Sequence, residues 1–520
     1  MPWSSLPWCC LVAVFGIGLG NLPECQSPND VATRTFRQLL GDFGTEELYW
    51  REAPTRPIVL RQLGRSFSHL FTEQDLEHLF NQSQKRTGGA ADYKRRLRPQ
   101  ARFKYPQDVL ACRTPHPGGR QDYIQEDPSA DGAKLKELYG EGWTIVLQHP
   151  FEFFSPIYEL AAHLEQHLLM MVSMYLFITP PGSMGFDFHS DSTQLLTLQI
   201  RGSKKWRVYP PFIESPMRGV GHDRVTLKDL PEELQNNVTE YVLTEGDVLS
   251  LPHGWHHTAE AIGTEPAVNL AILLEHVTWR EVLTKLSVKA DQMSYAPDSI
   301  LEEFATESVD LPFRRTIPHM MHNLPDFALV GGLKGVLEEK AGEWPAQLQT
   351  ASLEQDVSEW RRDFLANLTE DVLPPIGWIM PERRDRPLSQ MSAKEVASME
   401  INLDSELQVV STHAARVTGR VQKGTRGKMT VVKYSTLNPL IRHSRKMPNT
   451  WLVPQKSVPG LQQILHVELN PSGQFTPRSI VGVSEDTQLQ LARELLQRRI
   501  AIPRQVWLDV WSKEVCRQFA

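Results

Sequence analysis

Residues 184–209 read MGFDFHSDSTQLLTLQIRGSKKWRVY. His189 and Asp191 stand two apart in this stretch, ahead of an apolar run through Leu195–Ile200. In an extended strand, residues i and i+2 point to one side. The two side chains therefore aim at one point, while Ser190 faces away. Two histidines and one carboxylate on a common face leave three coordination positions open on non-haem Fe(II), so a third ligand must come from elsewhere. Residues 246–261, GDVLSLPHGWHHTAEA, offer His253, His256 and His257. His256 and His257 are adjacent and face opposite sides of a strand, so at most one of them can ligate. Strand parity alone does not choose among the three.

The same stretch closes on a cluster of cations. Alternation places Lys204 and Trp206 on one face and Lys205 and Arg207 on the other. A dicarboxylate that chelates iron through a keto-acid end needs a cation for its far carboxylate, and a Lys deep in a barrel supplies it by a charge-assisted contact. The competing reading places all three cations on a solvated rim.

The bulk numbers fit this picture. The chain has 520 residues, 41% hydrophobic and 22% charged, enough for two or three domains with large cores. A net charge of −7 speaks against a dedicated nucleic-acid binder. Five cysteines with no CxxC spacing exclude a disulfide scaffold and a zinc ribbon; a Cys112–Cys516 pair is left open. Leu6–Gly20 is an uncharged apolar run of signal-peptide length, too short for a membrane span. It sets the expectation of a leader over 1–25 and of residence in the endoplasmic reticulum lumen or outside the cell. Sequons at Asn81, Asn237 and Asn367 would then be glycosylated. The alternative location is the nucleus or nucleolus.

Along the chain, apolar spacing predicts helices over 27–43, 66–84 and 151–171, and strands at 57–60 and 143–147. Residues 84–140 read as irregular. His163 and His167 stand at i, i+4 on the third helix and read as polar-face histidines rather than metal ligands. Short β segments follow at 174–179, 195–200, 205–210, 241–243, 248–251 and 268–273, divided by Gly and Pro turns. That spacing argues for an all-β barrel or jelly roll. Leu353, Val357, Trp360, Phe364 and Leu368 form an amphipathic stripe, which suits either a core or a dimer seam. Pro374–Pro375 and Pro381–Pro387 read as a linker. Beyond it come a helix at 487–499 and a strand at 429–433. Residues 411–450 hold nine Lys or Arg and no acid. They read as a solvated face or a contact with an acidic neighbour, not as a nucleic-acid site.

The motifs together resemble a known family. Phe177–Ser183 with Gly185, then His189-Ser190-Asp191, then Leu198–Tyr209, then Glu245–Leu249, Pro252-x-Gly254, His257 and Glu260 are similar to the JmjC-type oxygenases, specifically the ribosomal-oxygenase (cupin-like protein hydroxylase) branch. Tyr49–Ala53 and Pro57–Val59 resemble that branch's entry motif. The resemblance covers most of residues 33–285. It implies a double-stranded β-helix (jelly-roll) catalytic domain over 26–285, a helical dimerisation region over 286–385 and a winged-helix-like domain over 386–520. It also implies Fe(II), 2-oxoglutarate and O2 as cofactors, a protein side chain as substrate (histidine in the nearest relatives) and a homodimer. It selects His257 as the third ligand and Lys204, fifteen residues past His189, as the cosubstrate cation. There are departures. Tyr175 stands where the branch usually has Asn. Ile272 falls where a Ser helps hold the cosubstrate, with Asn269 able to replace it only through a shift in register. Ser190 replaces a usual Tyr. These changes keep two alternatives alive: an inactive JmjC-fold binding protein of the secretory pathway, and a histone lysine demethylase.

Overall fold

The computed structural model describes residues 28–61, 66–81, 108–116, 121–123, 132–168, 170–212, 214–215, 226–274, 278–279, 326–341, 355, 357–361, 399–409, 415–424, 427–434, 449–466, 469–470, 472–498 and 500–506. The expected leader, the linker prolines, the sequon at Asn367 and Cys516 lie outside these residues.

The N-terminal part builds a helical layer. Helices α1 (Pro28–Leu40), α2 (Glu46–Glu52), α3 (Glu73–Asn81), α4 (Gly132–Gly140) and α5 (Ser155–Leu168) alternate with the first strands. The expected helix over 66–84 begins at Glu73, where Thr72 and Asp75 exchange backbone–side-chain bonds at 2.8 and 3.2 Å. Such a reciprocal cap satisfies otherwise orphaned donors and fixes the start. The helix expected from 151 begins at Ser155 instead. His149 sits at φ 50°, and Pro150–Glu152 forms a 3-10 turn first.

The strands are β1 (Ile58–Leu60), β2 (Val109–Arg113), β3 (Asp122–Tyr123), β4 (Thr144–Gln148), β5 (Val172–Thr179), β6 (His189–Ser190), β7 (Gln194–Arg201), β8 (Ser203–Tyr209), β9 (Thr239–Leu243), β10 (Val248–Leu251), β11 (His256–Ile262) and β12 (Ala267–Leu274). They form an eight-stranded sheet, order β1-β10-β7-β12-β5-β4-β2-β3, and a four-stranded sheet, order β6-β11-β8-β9. Their pairings are antiparallel. This is a mainly β architecture of antiparallel sheets, as the short-strand pattern predicts. The reading of 84–140 as irregular is corrected: β2 and α4 lie inside it. Val109–Arg113 is too short a pattern, among charged neighbours, to register as a periodic signal.

Parity explains the layers. On β5, Met174, Leu176 and Ile178 join the core beneath the helices, as do Leu196, Leu198 and Ile200 of β7 and Leu270, Ile272 and Leu274 of β12. The residues between them face the second sheet. Leu195 and Ala271 pack there with Trp206, Val208 and Leu243. Tyr49 ties the helical layer to the sheet: its hydroxyl lies 2.9 Å from Ser250 Oγ and accepts from Gln194 Nε2 at 3.1 Å. His163 and His167 are not solvated. His167 bonds Glu46 at 2.7 Å and Thr33 at 3.2 Å, and His163 bonds Thr35 at 3.2 Å. They fasten α5 to α1 and α2, and burial pushes the His163 imidazole down to about 4.

Helix α6 (Glu232–Asn236) precedes β9, and α7 (Asp326–Ala341) follows the sheets. Of the stripe at 353–368, Val357 and Trp360 lie in the described residues and both are buried. The C-terminal part holds β13 (Leu407–Val409), β14 (Ala415–Gly424), β15 (Gly427–Tyr434), β16 (Asn449–Pro454), β17 (Gln474–Phe475) and β18 (Ala501–Pro503), with helices α8 (Val458–Leu465) and α9 (Glu485–Gln497). A separate core gathers Val417, Val453, Leu461, Leu491 and Leu495. Within the basic stretch, Arg416 and Lys433 are cross-strand partners and both buried, so that part is not a solvated face. No helix among the described residues is long and apolar enough to cross a membrane.

Candidate metal centre

Three strand ends converge between the two sheets. Strand β11 pairs with β6 on one side and β8 on the other. His257 is the register partner of His189 across the first pair and of Val208 across the second. The imidazole centroids of His189 and His257 lie 4.4 Å apart. Asp191 follows β6 immediately, so the i, i+2 relation holds across the strand's end. Its Oδ2 lies 3.8 Å from His257 Nε2. Ligand atoms of His189, Asp191 and His257 all fall within 4.8 Å of one another. The Pro252–Gly254 turn closes this arrangement: Gly254, at φ 83°, donates its N–H to the Asp191 carbonyl at 2.7 Å.

Both imidazoles are oriented by the same device. His189 Nδ1 donates to the carbonyl of Asp187 at 2.8 Å, and His257 Nδ1 donates to that of Trp255 at 3.1 Å. A carbonyl only accepts, so each ring carries its proton on Nδ1 and presents Nε2 bare. Burial, then the neighbouring His189, holds the His257 pKa well below the usual imidazole range. Both rings thus turn a bare Nε2 toward the cluster that Asp191 completes. The adjacent His256 points the other way and stacks on Phe188, centroids 5.0 Å apart and planes 6° apart. His253 is buried but lies outside this cluster.

The cluster opens into a cavity of about 310 Å³. Lys204, Trp206, Tyr175, Phe177 and Asn269 line it with the three candidate ligands. Lys204 is 3% exposed and sits 5.4 Å from the Phe177 ring centroid. No carboxylate among the described residues pairs with it. Burial pushes its ammonium down to about 7. Lys205 and Arg207 face outward, where Arg207 bonds Glu260 at 3.2 Å and Glu240 at 3.1 Å. The rim reading thus holds for these two and not for Lys204.

Asn269 reaches the cavity in the register the strand already has. Asn269, Ala271 and Leu273 face inward, and Ile272 is buried in the opposite core. The pairing of β12 with β7 slips by one residue between Val268 and Asn269, and a gapless reading of the sequence does not see such a bulge. Asn269 Nδ2 donates to Thr197 Oγ1 at 3.0 Å, leaving Oδ1 buried without a partner among the described residues. Trp206 Nε1 is also buried without one. Sequence reasoning passed over Thr197 and the cavity-facing Gln148 and Phe186. Thr197 was signalled only by its odd position in β7, shared with Leu195. The other two belong to segments with no periodic pattern.

Residues 146–282 match the JmjC domain family. The chain is 27% identical to ribosomal oxygenase 1 of Gallus gallus over 58% of this chain and 44% of that protein. It is 24% identical to ribosomal oxygenase 1 of Homo sapiens, over 58% and 42%. It is 26% identical to the bifunctional lysine-specific demethylase and histidyl-hydroxylase NO66 of Drosophila pseudoobscura pseudoobscura, over 44% and 22%. The chain thus spans under half the length of these relatives. The ribosomal oxygenase YcfD of Escherichia coli, solved with cobalt and 2-oxoglutarate, is 14% identical over 89% of this chain and 99% of its own, at a TM-score of 0.40. The endoplasmic-reticulum or secreted location expected from Leu6–Gly20 is overturned by these relatives, which are named as ribosomal oxygenases and as a lysine-specific demethylase and histidyl-hydroxylase. All six candidate residues (Tyr175, His189, Asp191, Lys204, His257 and Asn269) fall inside residues 146–282, the segment that matches the JmjC domain family.

Proposed function

We propose that this chain is a 2-oxoglutarate- and Fe(II)-dependent oxygenase that hydroxylates a protein side chain, histidine first among the candidates. One observation carries the reading. A single cavity holds two histidines and a carboxylate within 4.8 Å and, beside them, a buried lysine that no described carboxylate neutralises. A buried unpaired ammonium is costly, and an anionic ligand is what offsets it. The donor set fits iron: two bare Nε2 atoms and one carboxylate, with room on the cavity side. In this reading His189, Asp191 and His257 hold Fe(II). When bound, the metal would supply O2 activation coupled to decarboxylation of 2-oxoglutarate to succinate and CO2, and conversion of a substrate C–H to C–OH.

The chain's own residues do the rest. Lys204 receives the far carboxylate of the cosubstrate. Trp206 Nε1 stands ready to donate, and Asn269, whose amide can turn about its bond to Thr197, offers either an acceptor or a donor. Tyr175, two residues before Phe177 on β5, lines the same cavity and would contact the cosubstrate there. Phe177, Leu195 and Ala271 keep it dry, which strengthens every charged contact inside.

Purified protein should form succinate from 2-oxoglutarate in the presence of Fe(II), and His189→Ala should abolish it. No succinate from the native chain would leave a binding protein as the reading. Histidine as the target draws on relatives named histidyl-hydroxylases. Because those same names include demethylase, product mass decides: a retained oxygen marks hydroxylation, released formaldehyde marks demethylation. A search for singly oxygenated histidines that vanish in Asp191→Ala tests the target directly. We further propose that 286–385 dimerises the chain and that 386–520 is a winged-helix-like domain. The amphipathic stripe Leu353, Val357, Trp360, Phe364 and Leu368 in the sequence motivates the first, and sedimentation of the full chain tests it.

A further inference from the structure

The segment leading into His189 is held from outside the two strands that carry the candidate ligands. Four hydrogen bonds join residues 184–187 to the pair β2–β3. Thr114, just past β2, donates its N–H to the Met184 carbonyl at 3.1 Å and its buried hydroxyl to the Gly185 carbonyl at 2.8 Å. Gln121, just before β3, donates its N–H to Asp187 Oδ2 at 3.2 Å, and its Oε1 accepts from Asp187 N at 3.5 Å. Asp187 is the residue whose carbonyl orients the His189 ring. Between these contacts lie Gly185 and Phe186, both facing the cavity. Phe186 packs edge-on against Phe177 at 5.0 Å and His189 at 5.7 Å. Gly185 sits so close to β4 that an added Cβ would stand 3.1 Å from Thr144. The two strands are themselves fixed: β2 pairs with β4 through Val109–Cys112 and with β3 at Cys112 and Arg113.

We infer that the pair β2–β3 is a brace for the metal centre, and that Thr114 and Gln121 are positioning residues that set the direction of the His189 imidazole through Asp187. The inference rests on the metal-site reading above. The physical ground is a chain of bonds. A two-residue strand such as β6 makes few ladder bonds of its own, so the position of the Asp187 carbonyl depends on what grips the residues before it. Partners behind a ligating histidine fix its ring and tune metal affinity.

The test uses the full chain and Co(II) as probe. Thr114→Val keeps the shape and removes the hydroxyl; Thr114→Ser restores it. Gln121→Ala removes the acceptor for Asp187 N–H. Expected is a Co(II) affinity about tenfold weaker in Thr114→Val and in Gln121→Ala. An altered visible absorption of the bound ion is expected with it, as is near-native affinity in Thr114→Ser. Metal-free melting temperatures should stay close to the native value. Unchanged affinity and spectrum in both variants overturn the brace. So does a loss that Thr114→Ser fails to restore, or one matched by a comparable loss of metal-free stability. A native chain that takes up no Co(II) overturns the metal-site reading and this inference with it.

Discussion

At the scale of single residues, Lys204 decides most. Burial holds its ammonium near 7, against an ordinary value about three units higher. A carboxylate bound beside it favours the charged form. Cosubstrate binding should therefore take up a proton once the pH exceeds about 7, and the KM for 2-oxoglutarate should climb from there. Arginine stays charged throughout, so Lys204→Arg should flatten the profile even if it raises KM overall. A level native profile between pH 6.5 and 9 would contradict the assignment. The ligand-free protein carries the opposite sign. Between the folded and unfolded values the unfolded chain holds the extra proton, so stability gains from this group as pH rises and loses as pH falls toward 7.

Among the elements, the tight joint between β7 and β8 sets the direction in which Lys204 leaves its strand. Gly202 takes φ 63° there, and an added Cβ would lie 2.4 Å from the Pro266 carbonyl. Gly202→Ala should cost about 1–3 kcal/mol for the backbone conformation alone, read as a lowered denaturant midpoint, and should weaken cosubstrate binding with it. The strands around this joint were legible in the sequence because alternation and Gly turns leave a strong mark. The inward pair Lys204–Trp206 and the outward pair Lys205–Arg207 followed from parity alone. The choice of His257 over His256 did not. Adjacent histidines satisfy alternation equally, and what separates them is the pairing of β11 with β6, a long-range contact. Asn269 was obscured for a similar reason, because a bulge between β7 and β12 is written in no local pattern. Gln121 and Thr114 left no periodic trace either, as single residues at strand ends.

For the whole molecule, the described residues hold two large separate cores, one under the eight-stranded sheet and one in the C-terminal part. We predict that each melts in its own transition. Leu495, fully buried in the second, is the place to ask. Leu495→Ala should cost about 2–5 kcal/mol through lost burial and the cavity left behind. Calorimetry should show that loss in one transition only, with Co(II) uptake unchanged. A loss of metal binding in step with it would mean the two cores act as one cooperative unit. The composition indicated more than one domain, and the end of the first at residue 285 is what the resemblance implies. The residues between 280 and 398 fall largely outside the described part.

The doubled histidine of β11 also makes the site vulnerable to a misthreading that ordinary strands would survive. A slip of one position would still put an imidazole inside, that of His256. It would also turn Glu260 inward, where Ala259 and Ala261 now leave space, and a carboxylate there would satisfy Lys204 from within the protein. The cavity would then be complete, neutral and closed to its cosubstrate. Two outward contacts guard against this inhibited threading: the Arg207–Glu260 ion pair, which detains that carboxylate, and the His256–Phe188 stack, which occupies the rival ring. Seen so, an ion pair of modest energetic value would weigh against the slipped register, where Glu260 would lose Arg207.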